Sequence, residues 1–395
     1  MANNNDKKVL NVPALRFPEF TEEWQGEQLH EIAELSKGIG ISKEQLSENG
    51  TPCILYGELY TKYKSEIISK IISKTDIEKS KLKHSKQNDV IIPCSGETAI
   101  DIAVARCVPF DNVLLGGDMN VIRLHKYDGA FMAYQLNGKR KTDIAKLAQG
   151  VSVVHLYGEN LKSIKTYNPS LQEQQKIVKL LSMLDERLEV QNKIIEDLKK
   201  LKSAIIDKLY SSTNGEIYSF RQLFEVVNEK NKARAYKNVL SASQELGMIE
   251  RSDINIDIKF EQESISGYKI VHKGDYVVHL RSFQGGFAFS DRTGICSPAY
   301  IILRPNDLVV YGYLSHFFTS KPFIKSLKLV TYGIRDGRSI NVDEWLDMPI
   351  LLPPAQEQIR ILTIVNAIDA KLHNEVKVQF CLSSQKSYLL NTMFI

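Results

Sequence analysis

The sequence is poor in the residues that would staple it or carry it into a membrane. Five cysteines in 395 residues (Cys53, Cys94, Cys107, Cys296 and Cys381) are scattered, odd in number and never spaced as CxxC. That pattern excludes a disulfide framework and a cysteine-based zinc site, and reads as reduced thiols inside a cell. No window approaches the roughly 20 consecutive apolar residues of a membrane span. The opening, MANNNDKKVLNV, is polar and lacks the apolar core of a signal peptide, so the expectation is a cytoplasmic protein with no membrane partner. Catalytic motifs are missing as well. There is no GxxxxGK[ST] loop, which excludes an ATP-driven motor in this chain. No Gly-rich cofactor loop accompanies an Asn-Pro-Pro-aromatic motif, the pair an adenine methyltransferase needs. The nearest imitation, Asn168-Pro169-Ser170-Leu171, lacks the second proline and the aromatic. No PD…ExK-like nuclease pattern stands out, and His272 and His279 lack metal-ligand spacing. No catalytic residue, metal ligand or bound cofactor is therefore assigned.

What is present is ordinary in bulk and unusual in order. Hydrophobic content of 43% and charged content of 25% fit a soluble globular protein, and the length suits two or three domains. The net charge of +4 is too mild to name a partner, so the distribution of charge matters more than its sum. The unusual feature is a repeat. Pro169–Tyr210 and Pro353–Phe394 superpose with a shift of 184 and no gap, matching Gln172/Gln356, Glu173/Glu357, Gln174/Gln358, Asp185/Asp369 and Leu188/Leu372 among others. An ungapped repeat at long period marks a duplicated architectural unit.

Each copy opens with proline and then places apolar residues at steps of three and four. In the first these are Ile177, Leu181, Leu184, Leu188, Ile195, Leu198, Ile205 and Leu209. A heptad pattern of this length predicts a long helix that needs a partner. Antiparallel pairing of the two copies sets Gln191 beside Gln379, a polar layer of the kind that fixes coiled-coil register. Before and between the helices the apolar runs are short and split by Gly, Pro and Asn, as at Val90–Pro93, Ile102–Val108, Val121–Leu124 and Tyr276–Leu280. Such runs predict strands, and Phe131–Gln135 and Asp143–Gln149 look helical. GEQLHEIA at Gly26–Ala33 is echoed by FRQLFEVV at Phe220–Val227, an offset of 194. The expected class is α+β, with two globular domains separated by two long helices that form an antiparallel, pseudo-twofold coiled coil. The expected boundaries are a tail and strap at 1–21, a domain at 22–168, a helix at 169–213, a second domain at 214–350 and a second helix at 351–395.

The RFPEF–W opening, two globular parts of about 140 residues and two Pro-x-x-Gln-Glu-Gln helices resemble the specificity subunit of type I restriction–modification systems. QEQ alone is a weak signal. Preceded twice by proline at this spacing and followed by heptads, it is a strong one. The resemblance implies that each globular part is a target recognition domain reading half of a split DNA sequence. It also implies that the helices space those domains and help dock two methyltransferase (modification) subunits, to which endonuclease/translocase (restriction) subunits add. The chain itself would catalyse nothing, and S-adenosylmethionine, ATP and Mg would be held by partner subunits. Two rivals stay open: a self-contained methyltransferase or restriction enzyme, against which the missing motifs count, and a coiled-coil assembly protein without a DNA role.

Candidate contacts to double-stranded DNA follow from side-chain chemistry. Between Thr61 and Gln87, eight lysines (including Lys62, Lys64, Lys79 and Lys81) face three acidic residues, a surplus suited to phosphates. Lys139, Arg140 and Lys141 in NGKRKTD form a second basic loop. In the second half Arg281 and Gln284 precede Gly285-Gly286, and Tyr332, Arg335 and Arg338 surround two glycines. Arginine suits guanine and glutamine suits adenine in the major groove. Tyr56, Glu58, Tyr60, Ser95 and Glu97 are the first-half counterparts, an acidic group there being able to accept from cytosine N4.

Overall fold

The computed structural model describes residues 10–78, 80, 82–243, 246–251, 262–279, 286–332 and 339–395. The chain divides into two compact units. One holds the residues up to Asn192 together with Lys377–Ile395, and the other holds Lys193–Val376. The division falls inside both long helices, Leu171–Ser211 and Ala355–Thr392.

The first unit is built on four antiparallel strands in the order Ala33–Lys37, Met119–Leu124, Asp89–Pro93, Arg106–Val108. Its central strand is buried on both faces, so the alternation of side chains distributes two cores rather than one core and a wet face. Val90 and Ile92 point toward the helix Gly129–Asn137, meeting Met132, Ala133 and Leu136. Ile91 points the other way, with Val121, Ile54, Leu59 and Tyr63. Full burial of each such side chain stabilises by about 1.5–3 kcal/mol. The segment Ile102–Val108, expected as one strand, is divided. Thr98 caps a helical turn at Ala99–Ile102, and the strand begins only at Arg106.

The second unit repeats the plan with different side chains. Its strands run Phe224–Val227, Ile301–Pro305, Tyr276–Val278, Phe287–Phe289. Tyr276 and Val278 face an aromatic core in which Phe220 stacks on Trp345 at 4.3 Å, while Val277 and Ile302 face the opposite cluster. In both units a buried aspartate at the head of the third-listed strand receives a two-pronged arginine. Arg123 Nε and Nη2 donate to Asp89 at 2.8 and 2.7 Å, and Arg304 donates to Asp275 at 2.9 and 3.0 Å. The same aspartates accept the backbone N–H of Lys86 and His272, both at 2.8 Å. The residue just before each is left-handed, Asn88 at φ +78° and Gly274 at φ +100°, a conformation open to glycine and tolerated by asparagine.

The echo between the openings of the two globular parts is corrected by three residues. Strand Gln25–Gln28 and helical turn Leu29–Ile32 correspond to strand Glu216–Ser219 and turn Phe220–Leu223, an offset of 191 rather than 194. Both turns carry a capping box, Gln28 with Glu31 and Ser219 with Gln222. A slip of three overlays one apolar helical position on another, so hydrophobicity could not resolve it.

The proline–QEQ signature has a physical reading. Gln174 is fully buried, donates to the Pro169 carbonyl at 2.8 Å and accepts the Asp128 N–H at 3.0 Å. Gln358 donates to the carbonyls of Pro353 and Leu308, both at 2.9 Å, and accepts the Val310 N–H at 2.8 Å. Each glutamine fastens its helix entry to a loop of its own globular part. The helices then run antiparallel inside each unit. Asp185 meets Lys386 at 2.5 Å and Asn192 meets Gln379 at 2.9 Å in the first, and Lys202 meets Asp369 at 2.5 Å in the second. Gln379 donates from its amide to Asn192 Oδ1, the neighbour of the buried Gln191 in the expected layer. The strap is folded in: Leu15 N–H bonds the Thr392 carbonyl, Arg16 forks onto Glu173, and Trp24 packs edge-on against Phe131 and Phe394.

Candidate nucleic-acid interface

In the first unit three loops meet beyond the sheet strand Asp89–Pro93. Gly96 brings two of them together: a Cβ there would lie 3.7 Å from the Tyr60 hydroxyl and 2.5 Å from Ile102. The third loop joins by a strand pair in which Ser95 faces His155 and Gly96 faces Val154. Burial, and then the neighbouring Tyr56, Glu97 and Asp101, push the Tyr60 phenol pKa up, so it stays a neutral hydrogen-bond donor. Beside it Glu97 is exposed and supplies an acceptor. A donor and an acceptor on one surface is what discrimination between base edges requires.

The structure redistributes the other first-half candidates. Tyr56 is half-buried against the core under this surface. Glu58 is 4% exposed, and its carboxylate already accepts from the Leu55 N–H at 3.0 Å, Lys62 Nζ at 2.7 Å and Ser73 Oγ at 2.5 Å. It is an internal fastener, because a carboxylate buried among three internal donors is not presented to a base. Ser95 is likewise buried in its strand pair. Lys64 and Lys139 are exposed and Lys141 half-buried, whereas Lys79 and Lys81 lie outside the described residues. Arg140 is committed inward. It binds Asp143 at 2.9 Å and the Ile395 carbonyl, and its guanidinium lies 5.4 Å from the Tyr167 ring centre. A guanidinium so held props the packing of the chain end and is not free to meet phosphate.

In the second unit Arg281, Gln284, Arg335 and Arg338 lie outside the described residues. Tyr332 is described and exposed, its hydroxyl donating to Glu344 at 2.6 Å, which also holds the phenol pKa up. His279 stacks on Tyr300 at 5.8 Å.

Sequence reasoning passed over three residues of the first surface. His155 stacks on Tyr157 at 6.3 Å, and Lys37 Nζ stands 5.9 Å from the Tyr157 ring. The signal was present in the run Val153-Val154-His155-Leu156-Tyr157. There Val154 and Leu156 are buried and the alternate residues are exposed, the period of a short strand.

Residues 21–200 match the family model of the type I restriction modification DNA specificity domain. The chain is 24% identical over 429 residues to a protein assigned as the MjaX specificity subunit of a type I restriction enzyme in Methanocaldococcus jannaschii, covering 98% of this chain and 96% of that protein. In fold it is similar to the S subunit of the type I restriction–modification system of M. genitalium, with a TM-score of 0.55 at 17% identity and coverage of 97% and 99%. A second similar chain comes from a structure addressing complex assembly and conformational transition of the type I R-M system. Its TM-score is 0.58 at 14% identity, with 94% and 97% covered. No helix among the described residues is long and apolar enough to cross a membrane.

Proposed function

We propose that this chain, a relative of type I restriction–modification specificity subunits that carries their DNA specificity domain, reads a bipartite, asymmetric DNA sequence. It then directs methyltransferase and endonuclease subunits to that sequence. The observation that carries the reading is the pairing of one plan with two surfaces. Both units share strand order, aspartate–arginine fork and glutamine clamp, yet the side chains on that plan differ, as in the cores around Met132 and around Trp345. A duplicated scaffold with diverged side chains suits two different half-sites separated by an unread spacer.

The chain is non-catalytic under this reading, since the motifs for methyl transfer, ATP use and phosphodiester cleavage are missing from its sequence. S-adenosylmethionine, ATP and Mg belong to the partner subunits. The helices offer a place to dock them. Within the first unit Leu180, Met183 and Val190, at steps of three and seven, lie along one side of their helix and are exposed, and Phe380 of the other helix is 71% exposed, apolar surface of the kind that marks an interaction site. Most sequence-independent affinity would come from lysines, and sequence choice from the loops.

The test is co-expression with the neighbouring methyltransferase subunit, followed by methylome sequencing and binding to the motif found. A split motif with unlike halves is expected. Methylation by the purified chain alone would overturn the assignment, and a complex without sequence-selective binding would return it to an assembly protein.

A further inference from the structure

The strand pair Ser95–Gly96 with Val154–His155 supports a turn whose tip nothing in the first unit covers. Gln149 and His155 exchange backbone hydrogen bonds of 2.9 and 2.7 Å. Gly150 sits at φ +120°, where a Cβ would lie 2.2 Å from the Val153 carbonyl oxygen. The turn is closed tightly on a glycine, and it displays Val151 at 97% and Val153 at 53% exposure. One exposed valine needs no explanation. Two at the tip of a closed turn, whose base pairs with the strand that leads into Glu97, do.

The repeat gives the turn its counterpart. The ungapped shift of 184 places Leu156 on Ile340 and Leu161 on Trp345, all four buried, and strand Lys165–Asn168 on strand Pro349–Leu352. The same shift places Val151-Ser152-Val153 on Arg335-Asp336-Gly337. The position that carries a guanine-suited arginine in the second half carries Val151 in the first, and Val153 falls on Gly337.

We propose that Val151 and Val153 form a base-contacting tip of the first recognition domain that meets a thymine 5-methyl group in the major groove. Thymine is the base that presents a methyl there, and small apolar side chains are its partners. The inference rests on the DNA-reading proposal above.

Its test uses the full chain in complex with its methyltransferase subunit and duplexes carrying the motif from methylome sequencing. Thymines of each half-site are replaced singly by deoxyuridine, which removes only the methyl group. The half-site read by the first domain is the one whose recognition changes with Glu97→Gln. At one or two thymines of that half-site the wild type should bind about two- to fourfold more weakly after replacement. The Val151→Ser, Val153→Ser double variant should no longer distinguish the two bases there, while its response at the other half-site is unchanged. A wild type indifferent to every replacement in that half-site, or a half-site without an A·T pair, overturns the proposal. So does a double variant that keeps the full discrimination, or one that weakens target and scrambled duplex equally, which would mark a phosphate contact. Wild-type binding that does not prefer target to scrambled duplex is a different failure, and removes the DNA-reading proposal itself.

Discussion

Replacing Lys386 by methionine tests how the last helix is held to the first unit. Lys386 is the cation between two buried carboxylates, bonding Glu66 and, at 2.5 Å, Asp185. Asp185 also accepts from Tyr134 at 2.7 Å and Ser65 at 2.9 Å. Nearby, buried Arg106 spends its donors on the carbonyls of Leu59 and Tyr63 at 3.1 and 2.9 Å. Methionine fills the volume but leaves two buried carboxylates with only the Arg106 guanidinium to offset them, and breaking a buried ion pair from one side costs about 3–5 kcal/mol. Adding Glu66→Gln should recover most of that loss, because it leaves one buried carboxylate, Asp185, balanced by the buried Arg106 guanidinium that acts on both acids.

The loss should depend on pH in a stated direction. Burial, outweighing the attraction of Lys386, holds the Glu66 carboxyl above its ordinary range. A carboxyl raised in the folded state binds its proton more tightly folded than unfolded. Its stabilising share is complete below the unfolded value near ~4.3 and is lost as pH rises through the folded value. Without Lys386 the carboxyl rises further, so the deficit of Lys386→Met relative to wild type should shrink as pH falls from about 7 toward about 5. Urea denaturation followed by tryptophan fluorescence reads this cleanly. The two tryptophans, Trp24 and Trp345, fall one in each unit, and Trp345→Phe leaves the signal of the first. A deficit under about 1 kcal/mol, or one that does not change with pH, would show that the carboxylates are effectively solvated and refute the argument.

Three further outcomes are expected. Gln174→Ala and Gln358→Ala should each destabilise by about 1–3 kcal/mol, because each strands a backbone N–H, of Asp128 or Val310, that the amide oxygen now accepts; chemical denaturation of the two variants measures it. Gly274→Ala should cost about 1–2 kcal/mol for a side chain forced to positive φ, and Gly274→Asn less, since Asn88 already occupies the matching turn; thermal melts of the three proteins rank them. Met183→Glu with Phe380→Glu should leave the melting temperature unchanged and abolish co-purification with the methyltransferase subunit, because both side chains are exposed and make no core contact.

The helices were legible in the sequence because their constraint is periodic and local. Spacing of apolar residues, a proline at the entry and a repeated QEQ survive without any knowledge of partners. Even the buried glutamine clamp was visible as a motif, though its partners, Asp128 and Val310, were not. The globular parts were legible as strands but not as a duplication, apart from one echo placed three residues off. Their shared features are single residues: a left-handed turn residue, then aspartate, then a distant arginine, as in Asn88-Asp89 with Arg123 and Gly274-Asp275 with Arg304. A signal of three residues separated by variable loops has no period to detect. For the reading surface the limit was different. Residue type cannot say whether a glutamate faces solvent or closes a turn, and Glu58 and Glu97, alike in chemistry, are placed oppositely, one buried among three internal donors and the other exposed.

That contrast bears on how such a chain changes the sequence it reads. Glu58, Asp89 and Gln174 are themselves buried and hydrogen-bonded, so the cost of substituting them falls on folding. Substitutions at Glu97, Val151 or Val153 touch side chains that face solvent, and cost the fold within about 0.5 kcal/mol. Loop residues can therefore be exchanged without re-solving the scaffold. The second half carries that logic to its end, with Arg335 standing where the first has Val151. Exchanging the turn alone, residues 151–153 for Arg-Asp-Gly, should then leave the melting temperature of the chain unchanged while altering the methylated motif in one half-site. A chain that no longer folds would place the turn among the buried constraints, contrary to its 97% exposed tip.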